Sequence, residues 1–154
     1  MDAKEFLRQP EKLDVRIRNK LIEKQQWHDM ALGITANMEG ERVQSSGAKS
    51  KMADAVERCV DMEAEINSLV DKLIDTKKEV VQTIERLDSP IEYDVLHKRF
   101  IQYKTLQQIA DEYKKDYGWA KSTCKRAVRH VQVLLDEREK QDAGNFVPGK
   151  KCMG

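Results

Sequence analysis

The chain has 154 residues and is almost neutral, with 28 basic against 27 acidic side chains. Charged residues make up 36% and aromatics 6%, a balance that suits long exposed helices better than a thick globular core. The longest apolar runs are a few residues and "MDAKEFLRQPEKLD" lacks the apolar core of a signal peptide, so a cytoplasmic protein with no membrane segment is expected.

Residues 11 to about 38 and about 50 to 88 both read as helix. In the second segment, steps of four and three visit Met52, Val56, Cys59, Glu63, Ile66, Val70, Leu73, Lys77, Val80, Ile84 and Leu87, of which only Glu63 and Lys77 are polar. An apolar stripe sustained over that length is the mark of a coiled-coil seam. The first segment has Leu13, Ile17, Trp27, Ala31, Ile34 and Met38 at the same spacing. Lys20 and Lys24 interrupt it, and Leu21 and Ile22 are expected to repair it. Between the two lies "EGERVQSSGAKSK", a loop composition that lets the helices fold back antiparallel. Its glycines and hydroxyls lack the GxxxxGK[ST] order of a phosphate cradle. Charges such as Glu23, Asp61, Glu65 and Lys72 are most simply solvated faces.

Ser89-Pro90 is a helix-start signal, since proline suits the first turn and serine can cap it. The helix that follows, "IEYDVLHKRFI", would bury Ile91, Val95, Leu96 and Phe100. Thr105 and Gln108 then have capping-box spacing, ahead of an apolar face of Leu106, Ile109, Ala110 and Tyr113.

The last helix holds the stretch "GWAKSTCKRAVRHVQVLL", with four Lys or Arg residues and no acid. On a helical wheel Ala120, Cys124, Ala127, Val128, Val131, Leu134 and Leu135 gather on one side. Lys121, Ser122, Lys125, Arg126 and Arg129 gather on the other. A capped short helix, a turn and a longer helix with a basic face is the arrangement that sets a recognition helix in a major groove. An acidic residue on that face would repel the phosphates. Charge is also split along the chain: residues 1–88 hold 15 basic and 18 acidic residues, net −3, and residues 89–154 hold 13 and 9, net +4.

The expected protein is all-α, with a coiled-coil hairpin over 1–88, a helix-turn-helix over 89–138 and a disordered tail over 139–154. Its partner would be double-stranded DNA. Lys121, Ser122, Lys125, Arg126 and Arg129 would contact the duplex, with Ser122 and Lys125 nearest the base edges. Lys104 and Thr105 would add phosphate contacts from the start of the preceding helix. Lys150 and Lys151 would add only loose phosphate attraction. Association of two or more copies through the coiled coil is a further expectation. Cys59, Cys124 and Cys152 are widely separated and no CxxC or CxxH spacing exists, so no metal site is expected. Nor does any nucleophile–base pair or carboxylate cluster suggest an enzyme or a cofactor.

The segments "MDAKEFLRQ", "KLDVRIRNKL", "ERVQSSG…KM", "INSLVDKLIDTKKEV…TIERL" and "VLHKRFIQYKTLQQIADEY" resemble a family of small phage and prophage proteins of Gram-positive bacteria, itself similar to the RinA/ArpU-type phage transcriptional regulators. The back half is also similar to the last DNA-binding region of bacterial sigma factors, at Leu96, Arg99, Phe100, Thr105, Ile109 and Ala110. The resemblance implies a sigma-like helix-turn-helix, a role in phage late-gene transcription, and host RNA polymerase as a further partner. The segment "DEYKKDYGW" is about four residues longer than the turn usual in that fold, which leaves the recognition helix to start between Trp119 and Ser122. A small terminase subunit and a purely structural coiled-coil protein are the rival functions that the same features fit.

Overall fold

A computed structural model describes residues 1–40 and 46–145, with side chains for 1–33 and 50–145. Among these residues the chain is all-α. The helices are α1 (Ala3–Gly40), α2 (Ser46–Ile84), α3 (Pro90–Leu96), α4 (Leu106–Glu112) and α5 (Tyr117–Asn145), and a π-helical turn, His97–Ile101, continues α3. The chain divides into two compact units, Lys12–Asp75 and a second that joins Met1–Glu11 to the chain from Thr76 onward.

In the first unit α1 and α2 run antiparallel. Lys20 Nζ lies 2.8 Å from Glu65 Oε2 and Lys24 Nζ 3.8 Å from Glu63 Oε2, while the Cys59 thiol donates to the Lys24 carbonyl at 3.7 Å. Leu13, Ile17, Ala31, Ala55, Met62 and Ile66 are buried. Two expectations are corrected. Leu21 and Ile22 do not repair the seam but stand 49% and 57% exposed. Lys20 and Lys24 keep the seam positions, because their methylene stems can cover apolar surface while the ammonium groups reach glutamates. Val56 also faces outward, and Ala55 and Met62 take the inward places beside it. The side chains of Ile34 and Met38 lie outside the described residues, as do residues 41–45 of the expected loop. The rest of that loop is helical, up to Gly40 in α1 and from Ser46 in α2.

The second unit holds the larger core, in which Ala3, Phe6 and Leu7 of α1 and Val80 and Ile84 of α2 meet Leu96, Phe100, Ala127, Val131 and Leu135. The expected boundary at 88 therefore does not coincide with the division of the core. The first turns of α1 and the last of α2 supply apolar side chains that the short α3 and α4 lack. Helix α1 starts eight residues earlier than expected, at Ala3, where the Asp2 carboxylate accepts the Glu5 N–H at 3.2 Å. Pro10 lies inside it with its ring fully buried, and that packing offsets the helix hydrogen bond proline cannot donate. Helix α5 continues to Asn145, so residues 139–145 are helical rather than a disordered tail; Arg138, Glu139, Lys140 and Gln141 are all good helix formers. Residues 146–154, with Lys150, Lys151 and Cys152, lie outside the described residues.

Candidate nucleic-acid interface

Both expected caps are present. The Ser89 hydroxyl accepts the Glu92 N–H at 3.3 Å, with Pro90 in the first turn of α3. At α4 the capping box is complete: Thr105 Oγ1 accepts the Gln108 N–H at 3.2 Å, and the Gln108 side chain accepts the Thr105 N–H at 2.9 Å. Just past the end of α4, Lys114 stands in the left-handed region, φ 55°, with the Lys114 N–H bonded to the Asp111 carbonyl and the Lys115 N–H to that of Ala110. This is the Schellman arrangement, with lysine at the position glycine usually takes.

Helix α5 starts at Tyr117, ahead of the expected window of Trp119 to Ser122. Asp116 is the reason: its carboxylate accepts the Trp119 N–H at 2.8 Å and its carbonyl the Ala120 N–H at 3.4 Å. The intervening turn is thus only Tyr113–Asp116, and the apparent surplus of residues belongs to the first turn of α5. The Tyr113 and Trp119 rings meet across this turn with centroids 5.0 Å apart. The Tyr113 hydroxyl donates to Asp94, and burial, reinforced by that carboxylate, pushes its pKa up to about 12.

Ala120, Ala127, Val131 and Leu135 fix the inward face of α5. Lys121, Ser122, Lys125 and Arg129 are exposed on the opposite face, and among the described residues none of these cations has a carboxylate within ion-pair distance. No acid interrupts α5 between Asp116 and Asp136.

Arg126 is different. Its Nε lies 2.9 Å from Oε1 of Glu92, whose side chain is only 5% exposed, and His130 Nδ1 lies 2.6 Å from Oε2. An ionised carboxylate only accepts, so His130 donates from Nδ1. Burial pushes the Glu92 carboxyl up, but the His130 and Arg126 hydrogen bonds outweigh it and hold the group below the usual carboxylate range. Arg126 thus stands at the α3–α5 junction and serves the fold. Sequence reasoning missed Glu92 by counting Ile91 as inward; Ile91 is 48% exposed. The spacing of Glu92, Val95, Leu96 and Phe100 follows one helical face and is the signal that finds it.

Lys104 is also engaged. Glu112 takes hydrogen bonds from Lys104 and, at 2.7 Å, from Lys98, and these two cations hold its carboxyl below the usual range. Thr105 is exposed, but its N–H and hydroxyl already serve the capping box. The side chains expected to contact DNA thus separate into an open set on α5 and a paired or capping set of Arg126, Lys104 and Thr105.

No protein-family model, curated protein or solved structure matches the chain. Among the described residues, no helix is long and apolar enough to cross a membrane, and no group of three or more His, Cys, Asp or Glu could hold a metal ion.

Proposed function

We propose that the chain is a sequence-specific double-stranded-DNA-binding protein, with α5 as its recognition helix. One observation carries this: Lys121, Ser122, Lys125 and Arg129 share the outward face of a helix whose other face is anchored in the core, and its cations have no carboxylate partners among the described residues. Nearby cations that serve the fold, Lys98, Lys104 and Arg126, are each paired. Unpaired cations at that spacing suit phosphates, and the exposed face of a helix suits a groove about 12 Å wide. Ser122 and Lys125, within one turn of each other near the helix start, are the side chains for base edges. Lys121 and Arg129 are those for the backbone.

The resemblance to phage regulators supports transcription control in a bacterial host's cytoplasm, with host RNA polymerase as a further partner. In this reading the chain binds and does not catalyse. The hairpin fits a means of joining copies of the chain, as regulators on symmetric operators require.

Selection from random duplexes is expected to return an enriched motif. Lys125→Ala should then lower the preference at one or two base pairs by roughly tenfold. Selection without enrichment, together with a stable ring of many subunits, would instead place the chain in DNA packaging. Absence of any DNA binding at low salt would leave a structural coiled-coil protein.

A further inference from the structure

The start of α1 runs antiparallel to α5 within one compact unit. The Met1 amino group lies 2.7 Å from Glu139 Oε1. The Ala3 N–H donates to Gln132 Oε1 at 2.7 Å, and Gln132 Nε2 donates to the Met1 carbonyl at 3.1 Å. One turn further on, Phe6 and Leu7 are buried in the core that also contains Ala127 and Val131. Following α1 from Met1 therefore leads along α5 from Glu139 back toward the basic start of that helix.

The flanks of this short segment differ in charge. Lys4 and Arg8, one turn apart and both exposed, share one flank, while Asp2 and Glu5 lie toward the other. Among the described residues neither Lys4 nor Arg8 has a carboxylate within ion-pair distance. Both act on Cys124: burial raises that thiol's pKa, and Arg99, Lys4 and Arg8 pull against it. Cys124 and Val128 form the strip of α5 next to Lys121 and Lys125, so α1 borders the basic face on that side. On the opposite side α3 closes the border, with Glu92 holding Arg126 and His130.

We propose that the first two turns of α1 are a second phosphate-binding element, in which Lys4 and Arg8 engage the backbone wall of the groove that receives α5. This rests on the DNA-binding function proposed above and extends it to a part of the chain far from the helix-turn-helix in sequence. A recognition helix fills a major groove and leaves the groove's walls to whatever flanks it. The α3 flank is neutralised by Glu92, whereas the α1 flank offers two free cations.

The salt dependence of binding counts the phosphates neutralised, at roughly 0.9 units of slope for each on duplex DNA. Lys121, Lys125 and Arg129 alone would give a slope of log K against log[salt] of about −2.7, and Lys4 and Arg8 would steepen it to about −4.5. The test uses the full chain on a short random-sequence duplex. Lys4→Gln/Arg8→Gln is expected to flatten the slope by roughly two units, alike on random and selected DNA. Lys4→Arg/Arg8→Lys, which keeps both charges, is expected to retain the parent slope. An unmoved slope in the glutamine variant, or a slope lost equally in the charge-keeping variant, overturns this proposal alone. A parent protein that binds no duplex at low salt overturns it together with the DNA-binding function.

Discussion

In the α1–α2 hairpin, Lys20 and Lys24 stand where a seam would ordinarily hold leucine or isoleucine, with their ammonium groups directed at Glu65 and Glu63. In α5, Lys121, Lys125 and Arg129 stand at the same kind of helical spacing with no carboxylate among the described residues to meet them. The two regions thus use periodic lysine in opposite ways. What distinguishes a structural cation from an available one is the group it faces, which spacing does not reveal. Arg126 sharpens the contrast, because it lies among the free cations of α5 yet is held by Glu92 from another helix.

The largest effect should come from the hairpin seam. Met62 is fully buried, whereas Leu21 is 49% exposed although sequence periodicity brings it close to the seam. Met62→Asp forces an unpartnered charge into an apolar contact and should cost about 4 kcal/mol in chemical denaturation. Leu21→Asp should stay within about 0.5 kcal/mol of the parent. Equal losses in the two variants would mean that the lysines do not hold the seam.

Next comes a split within α5. Arg126→Glu sets an acid against buried Glu92 and should cost about 2 kcal/mol, less than for a fully buried pair because the guanidinium is more than half exposed. Arg129→Glu should leave melting nearly unchanged and weaken DNA binding. The Glu92 site also sets a pH dependence. Its folded carboxyl lies below the ordinary value, so its stabilisation is complete above that value, about 4.3, and is lost as pH falls through the folded one. Glu92→Gln should remove this acid sensitivity. If Arg126→Glu melts like the parent, Arg126 belongs with the free cations after all.

Local signals in the sequence were legible where the physics is local. Ser89-Pro90 and Thr105 with Gln108 each mark a helix start through bonds made within four residues, and both caps form. The stripe through Ile66, Val80 and Ile84 was legible because burial in a helix pair follows the helical period. Its register near Val56 was not, since Ala55 and Met62 offer a second apolar path one residue away and only the partner helix chooses between them. The place of Phe6 and Leu7 was hidden for a similar reason: their partners Val131 and Leu135 lie at the far end of the chain. For the candidate interface, the outward face of α5 could be read from its own spacing. The pairing of Arg126 with Glu92 and of Lys104 with Glu112 could not, because each bond joins different helices or a loop to a helix.

The smallest expected effect separates α4 from α5. Glu112 holds Lys98 and Lys104 together, and its carboxyl is kept below the usual range by those two bonds. The contribution of the cluster is therefore fully present above the ordinary carboxyl value of about 4.3 and is lost as pH falls through the lower folded value. At neutral pH the start of α4 offers DNA little net charge, even though two lysines lie beside it. Glu112→Gln removes the shared acid while keeping the side-chain volume. Since exposed ion pairs contribute little, melting should stay close to that of the parent. The effect should appear in DNA binding instead, as a salt slope steeper by roughly one unit on random and selected duplexes alike, because Lys104 becomes free to meet a phosphate. An unchanged slope would show that Lys104 does not reach the duplex even when released, so that α4 supports the interface only by positioning α5.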